Sequence, residues 1–292
     1  MTSSLKRVLV GAIGIPLILL LTLLKVGHYL PFTIFITFIS FLGTIEQLEI
    51  LKQKWITDYK IVLLIFSILT PLAFYLYTFI PSFPFSSFIL FAGIIAFFLP
   101  QIFKSNFLES LSYISHYFLS LAFIIFSLSF FILIINKEQG LYYIILLFFT
   151  VWFNDSFAYV TGVMIFRSKR HIIPLKVSPN KSYEGYIGGL IFGILAVFLV
   201  NFIFSRQYFI DSSIFNLNFA IPTFSFWQSL LIGFITVVSA NLGDLFESII
   251  KRSVNIKDSS NILPGHGGIL DRFDSFFIAT PMFYFLLTLL GK

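Results

Sequence analysis

The chain alternates long apolar stretches with short polar ones, on a scale far longer than a β-strand or the stripe of an amphipathic helix. Runs of about 17 to 25 apolar residues suit helices that cross a hydrocarbon core roughly 30 Å thick. About nine can be drawn, over residues 8–24, 29–48, 61–80, 85–103, 113–135, 141–166, 185–204, 227–250 and 273–290. None shows the two-residue alternation of a barrel strand. Backbone groups surrounded by lipid must be satisfied within their own segment, so the pattern predicts helices. The expected fold is all-α, a polytopic integral membrane protein with no evident internal repeat.

The polar connections set the orientation. With a cytoplasmic N-terminus, nine spans put Lys6, Arg7, Lys52, Lys54, Lys60, Lys104, Arg167, Lys169, Arg170, Lys176, Lys181, Lys251, Arg252, Lys257 and Arg272 inside, and only Lys25, Lys137, Arg206 and Lys292 outside. That asymmetry is what the positive-inside rule requires. The first run follows Lys6 and Arg7 as a signal peptide would, but no small-x-small cleavage pattern follows it, so it reads as a retained span. Residues 205–226 form the longest external connection, and their aromatics suit an interfacial lid. Residues 1–140 read as about five helices with a scaffolding or dimerisation role. Residues 141–292 read as the catalytic region, whose two polar loops, 167–184 and 251–272, share the cytoplasmic face.

Composition agrees with this picture. Hydrophobic residues make up 58% and charged ones 11%, with a mean hydropathy of +0.96, which excludes an ordinary water-soluble domain. Cysteine is absent, and with it go disulfides, thiolate metal sites and cysteine nucleophiles. In the first half, Glu46, Glu49, Lys52 and Lys54 read as a solvated helix end carrying ion pairs three residues apart. His28 and His116 have no neighbours at ligand spacing.

Charges inside the apolar runs are more informative, because an ionisable group at membrane depth costs something like 3 kcal/mol or more. Asp155 lies in the sixth run, and Asp244 and Glu247 in the eighth. Asn241, Asp244, Ser248 and Lys251 share one helical face, with Asp244 about 10 Å deeper than Lys251 at 1.5 Å per residue. Such a polar stripe, descending from a basic rim, suits a cavity for a lipid phosphate. Asp155, with Asn154 and Tyr159, forms a second polar patch, and Gly162 marks a bend or an earlier helix end.

Two loops complete the candidate chemistry. In the first, Ser178, Pro179, Asn180, Lys181 and Ser182 precede Glu184 and Gly185, the composition of a capped helix start able to grip a nucleotide triphosphate. In the second, Pro264, Gly265, His266, Gly267 and Gly268 permit close backbone approach to an anion. It is not a P-loop, and Leu270 keeps it from completing GxGxxG. Lys257 and Asp258 stand before it, and Asp271, Arg272 and Asp274 after it. Carboxylates beside cations and a glycine loop are what Mg²⁺-dependent phosphoryl chemistry requires, with Asp244 and Asp271 as candidate metal ligands.

The run from Ser248 through Lys251, Arg252, Lys257, Asp258, Pro264, His266, Gly267, Gly268, Asp271 and Arg272 to Asp274 resembles the signature of the phosphatidate cytidylyltransferase (CDP-diacylglycerol synthase) family. NDSFAYVTG and SPNKSYEGYIGG are similar to upstream segments of that family, so the resemblance covers about residues 150–292. Members often carry Lys-Lys-Thr where this chain has Asn180, Lys181 and Ser182, and Thr in place of Ser156. The resemblance implies transfer of the cytidylyl group of CTP to phosphatidate, giving CDP-diacylglycerol and pyrophosphate. It implies Mg²⁺, with room for a monovalent cation such as K⁺, a bilayer and no nucleic acid as environment, and room for a homodimer. It also implies a cell inner membrane location with the site facing the cytoplasm.

The roles carried over are catalytic for Lys257, Asp258, His266, Arg272, Lys251 and Asp274. They are substrate-binding for Ser248, Arg252, Lys181, Ser182, Gly267, Gly268 and Asp155. In this reading Lys251 pairs with Asp274 to hold the loop. Two rival readings keep the same residues: a CTP-dependent kinase of a polyprenol-like alcohol with Asp155 or Glu247 as base, and an ion-coupled transporter using Asp155, Asp244 and Glu247.

Overall fold

The computed structural model describes residues 14, 16–54, 60–103, 107–166, 170–205, 224–260, 262 and 267–292. Residues 8–13 and 15 of the first expected span, residues 206–223 of the external connection, and the basic residues Lys6, Arg7, Lys104, Arg167, Lys169 and Arg206 lie outside them.

Among the described residues the regular structure is helical, with one isolated antiparallel bridge between Ile172 and Ser182. After a short helical stretch at 16–23 come α1 (Leu30–Lys52), α2 (Lys60–Phe79), α3 (Phe85–Phe98), α4 (Phe107–Leu119) and α5 (Ser127–Ile135). They are followed by α6 (Gly140–Tyr159), α7 (Tyr183–Ser205), α8 (Phe226–Ser253), the single turn α9 (Leu270–Phe273) and α10 (Phe276–Leu289). Seven described helical segments are long and apolar enough to cross a membrane, counting α4 and α5 as one continuous rod. They correspond to the second through eighth runs of the sequence. The last run holds the 14-residue α10, which at 1.5 Å per residue is about 21 Å long.

Two rods carry π-helical segments, Ser120–Phe126 between α4 and α5 and Val160–Ile165 after α6. Such one-turn wide segments recur at functional sites. The second answers the expectation at Gly162: the helix does not end there, but widens and continues to Ile165.

The interior is aromatic and aliphatic. Phe32, Phe74, Phe131, Tyr142, Tyr143, Phe277 and Phe283 are fully buried where α1, α2, α5, α6 and α10 meet. Phe88, Phe91, Ile95, Ile187 and Trp227 are exposed on outer faces, as expected where lipid is the solvent. α7 packs against both α6 and α8, and small residues make this possible. A Cβ on Gly189 would stand 2.6 Å from Asn154 Oδ1, and one on Gly193 2.4 Å from Val237 Cγ2. This close, glycine-lined contact brings the polar patches of α6 and α8 to the same end of the bundle.

Candidate active site

A cavity of about 330 Å³ opens where α6, α7, α8 and the α9–α10 junction converge. α6 and its π-helical extension contribute Asp155, Tyr159 and Gly162, and α8 contributes Asn241 and Asp244. The loop before α7 contributes Arg170, Asn180, Lys181 and Ser182, and the last turn of the chain's polar run adds Asp271, Asp274 and Ser275.

Local hydrogen bonds fix each wall. Ser182 caps α7, its Oγ accepting from the Gly185 N–H at 3.2 Å. Glu184 does not reach back to the cap; it accepts from the His171 N–H at 3.0 Å and pairs with the His171 ring. The loop closes on itself through Ile173 N–H to Lys181 O (2.9 Å) and Tyr183 N–H to His171 O (3.0 Å). Arg252 ties this loop to the end of α8, its Nε donating to Val177 O at 3.3 Å. On the helix side, Asn154 donates to Asp155 Oδ1 at 2.9 Å and meets Asn241 at 3.4 Å.

Across the cavity, Lys181 Nζ pairs with Asp244 Oδ2 and lies 5.2 Å from the ring centre of Tyr186. Burial pushes the lysine toward neutrality, but the Asp244 charge and hydrogen bond outweigh it and hold the lysine pKa above its ordinary value. Asp274 Oδ1 accepts from the Ser275 N–H at 2.7 Å. Gly243 lets this junction approach α8, since a Cβ there would lie 2.4 Å from Asp274 O.

Asp271 is the most heavily used carboxylate of the cavity lining. Oδ1 accepts from Lys251 at 2.6 Å, and Oδ2 accepts from the Ser259 N–H (2.8 Å), Ser259 Oγ (2.9 Å) and the Gly268 N–H (2.8 Å). Burial pushes this carboxyl up; the Gly268 N–H, Lys251 and the Ser259 N–H more than reverse that and leave it below its usual value. Gly267 takes φ +82°, and a Cβ on it would collide with Asp271 at 2.4 Å, so the turn requires glycine.

The expected pairing of Lys251 with Asp274 is corrected here. Lys251, 8% exposed, pairs with Glu247 and Asp271. The reason is position: Asp274 lies against Gly243, eight residues up α8 from Lys251 and so about 12 Å away along its axis.

Of the remaining expected site residues, Ser248 is buried within α8 outside the cavity lining, and Lys257, Asp258 and Arg272 are exposed, also outside it. His266, with Leu263, Pro264 and Gly265, lies outside the described residues. Arg170, expected only as one of the inner-face cations, and Tyr186, which no sequence signal marked, also line the cavity, brought there by the loop and the α7 start. It also misread Glu46. Far from a solvated helix end, Glu46 is 2% exposed and accepts from Ser259, Ser260, Ile269 and Leu270, because α1 packs directly on the loop that precedes α9.

The oxygen donors fit Mg²⁺, which takes one or two carboxylates and completes its shell with phosphate oxygens and water. Asp244 and Asp274 each have one oxygen held by a protein donor and one without such a donor among the described residues. Asp271, in contrast, has both oxygens held by protein donors, Oδ1 by Lys251 and Oδ2 by Ser259 and the Gly268 N–H. No three metal-binding side chains among the described residues form a ready cage.

Compared with known proteins, residues 5–290 match the model of the cytidylyltransferase family. The chain is 42% identical over 152 residues to a phosphatidate cytidylyltransferase of Staphylococcus haemolyticus, covering 52% of this chain and 51% of that protein. It is 41% identical over the same length to one of Staphylococcus aureus, again covering 52% and 51%. With one of Bacillus subtilis it shares 42% identity over 161 residues, 55% of this chain and 53% of that protein. The match thus spans about half the length of these curated relatives.

Proposed function

Since the chain belongs to the cytidylyltransferase family, we propose that it transfers the cytidylyl group of CTP to phosphatidate, releasing pyrophosphate and forming CDP-diacylglycerol at the cytoplasmic face of a bacterial inner membrane. The observation that carries this reading is the cavity itself. Two separated polar segments, 170–186 and 241–275, meet in one space lined by both cations and carboxylates, and the chemistry needs both.

The phosphate monoester of phosphatidate is already an anionic nucleophile. One of its oxygens attacks the α-phosphorus of CTP, a P–O bond forms, and the bond to the β-phosphate breaks with its electron pair leaving on pyrophosphate. No strong general base is needed, so the protein's work is to align two repelling anions and offset their charge. Arg170 and Lys181 supply positive charge at the cavity wall. Asp244 and Asp274 would hold Mg²⁺, with Asp271 fixing the turn behind them in place of the direct ligation its position first suggests. Mg²⁺ would supply Lewis-acid stabilisation of the charge that builds on the phosphates. Asn154, itself paired with Asn241, donates to Asp155 and so orients that carboxylate at the cavity wall.

The test uses purified protein in lipid nanodiscs with Mg²⁺, phosphatidate and CTP labelled at either the α- or the γ-phosphate. Only the α-label should enter lipid, as CDP-diacylglycerol. Transfer of the γ-label would instead indicate a lipid kinase, and the absence of any CTP-dependent lipid product would sink the proposal.

A further inference from the structure

We infer that Glu46 is a positioning residue of this site: its carboxylate, delivered from α1, holds the segment through Ser259, Ser260, Ile269 and Leu270 so that Asp271 and Asp274 keep their places at the cavity. The inference rests on the cytidylyltransferase reading above, and it gives the first half of the chain a part in the chemistry.

A buried carboxylate persists only where its lone pairs are filled. Here four donors do so, in two pairs. Oε1 accepts from Ser260 Oγ at 2.6 Å and the Ile269 N–H at 2.8 Å; Oε2 accepts from Ser259 Oγ at 3.1 Å and the Leu270 N–H at 2.9 Å. Each oxygen therefore clamps one hydroxyl from before the glycine turn and one backbone amide from after it. The separation in sequence is more than 200 residues, so no local contact substitutes for this link.

The clamp connects to the cavity by one atom. Ser259 Oγ lies 3.1 Å from Glu46 Oε2 and 2.9 Å from Asp271 Oδ2; its single proton serves one carboxylate at a time, which couples the two. Space is equally constrained. A Cβ on Gly268 would stand 2.0 Å from Ser259 Oγ and 2.4 and 2.6 Å from the Glu46 oxygens, so the chain threads between the carboxylate and the serine with no slack. Immediately beyond the clamped amides, α9 leads through Asp271 to Asp274 and Ser275 in the cavity wall. A shift at Ile269 and Leu270 is therefore passed to Asp274, which lines the same cavity as Lys181 and Asp244.

The decisive variant is Glu46→Gln, which keeps shape but turns one acceptor oxygen into a donor facing two donors. Full-length protein in nanodiscs is compared with wild type by hydrogen exchange in peptides covering residues 259–272 and by kcat and KM for CTP and phosphatidate. The expected result is faster exchange in those peptides together with a kcat lowered about tenfold or more, as misplacement of reacting groups produces, while both KM values change by less than about threefold. A role confined to stability would speed exchange or lower the melting temperature and leave kcat of the folded protein unchanged; that result overturns the inference, as does unaltered exchange. Should Glu46→Gln fail to fold, Ser260→Ala, which removes one of the four donors, is held to the same two readouts. In this variant too, faster exchange with lowered kcat supports the clamp and unchanged kcat overturns it. Wild-type protein that makes no CTP-dependent lipid product would overturn the functional reading itself, an outcome separate from an active wild type that tolerates Glu46→Gln.

Discussion

The buried charge cluster at the foot of α8 permits a quantitative prediction. Lys251 stands between Glu247 and Asp271, with the side chains of the three residues 10%, 2% and 7% exposed. Lys251→Met leaves two carboxylates side by side without a counter-ion, and removing one member of a buried ion pair costs about 3–5 kcal/mol. Asp271→Asn is milder, because Lys251 keeps Glu247; the lost charge-assisted hydrogen bond is worth about 1.5–3 kcal/mol. That is survivable for a fold of typical stability, about 5–15 kcal/mol, so Asp271→Asn should remain folded yet lose turnover as the turn at Gly267 and Gly268 loosens. In the double variant only Glu247 remains charged, and its repulsion with Asp271 is gone. Its cost should fall short of the sum of the single costs by about 1.5–3 kcal/mol, within the range for residues in direct contact. Equilibrium unfolding in mixed micelles, followed by circular dichroism across the four proteins, measures that coupling. Costs that add to within about 0.5 kcal/mol would show that Lys251 and Asp271 do not act as a pair, and the account of the loop would fail.

Gly189→Ala should test the close contact of α6 and α7: the new methyl meets Asn154 Oδ1 at 2.6 Å and Asn154 O at 2.9 Å, an overpacking expected to cost about 1–3 kcal/mol in unfolding measurements and to lower activity by moving Asn154 off Asp155. Acid sensitivity should follow Asp271. Its folded pKa lies below the ordinary 3.8, so its contribution to stability is complete above that value and is lost as pH falls through the lowered one; unfolding measured from pH 6 to 2 should show a limb that Asp271→Asn flattens, and identical profiles would contradict the hydrogen-bond account.

Much of the fold was legible because lipid leaves a chain few options. Among the described residues, seven of the nine apolar runs correspond to helices of spanning length, and each of the two polar loops sends residues to one cavity, Asn180, Lys181 and Ser182 from the first and Asp271 from the second. Asp155 and Asp244 stood out because a carboxylate in an apolar run has few structural excuses. Helical periodicity also placed Asn241 and Asp244 on one face, and both line the cavity. Partner choice was not legible in the same way. Lys251 has Asp271 and Asp274 within four residues of each other in sequence, and only the turn of α9 decides between them.

Glu46 marks the deeper limit. At the polar end of an apolar run, flanked by Glu49 and Lys52, it has the local surroundings of a surface residue, and nothing within ten positions betrays that it is buried. The information sits more than 200 residues away, in a pair of serines and a glycine turn that carry four hydrogen-bond donors toward a single point. Those serines read in sequence as ordinary loop polarity, but a buried hydroxyl and a free backbone amide each demand an acceptor. The glycine turn keeps its anion-binding character, yet the anions it grips are the protein's own: Asp271 takes the Gly268 N–H, and Glu46 takes the next two amides in the chain. The three amides so engaged, Gly268, Ile269 and Leu270, hold a geometry, and in the proposed reaction the substrate phosphates would fall to the cations that face the cavity, Arg170 and Lys181.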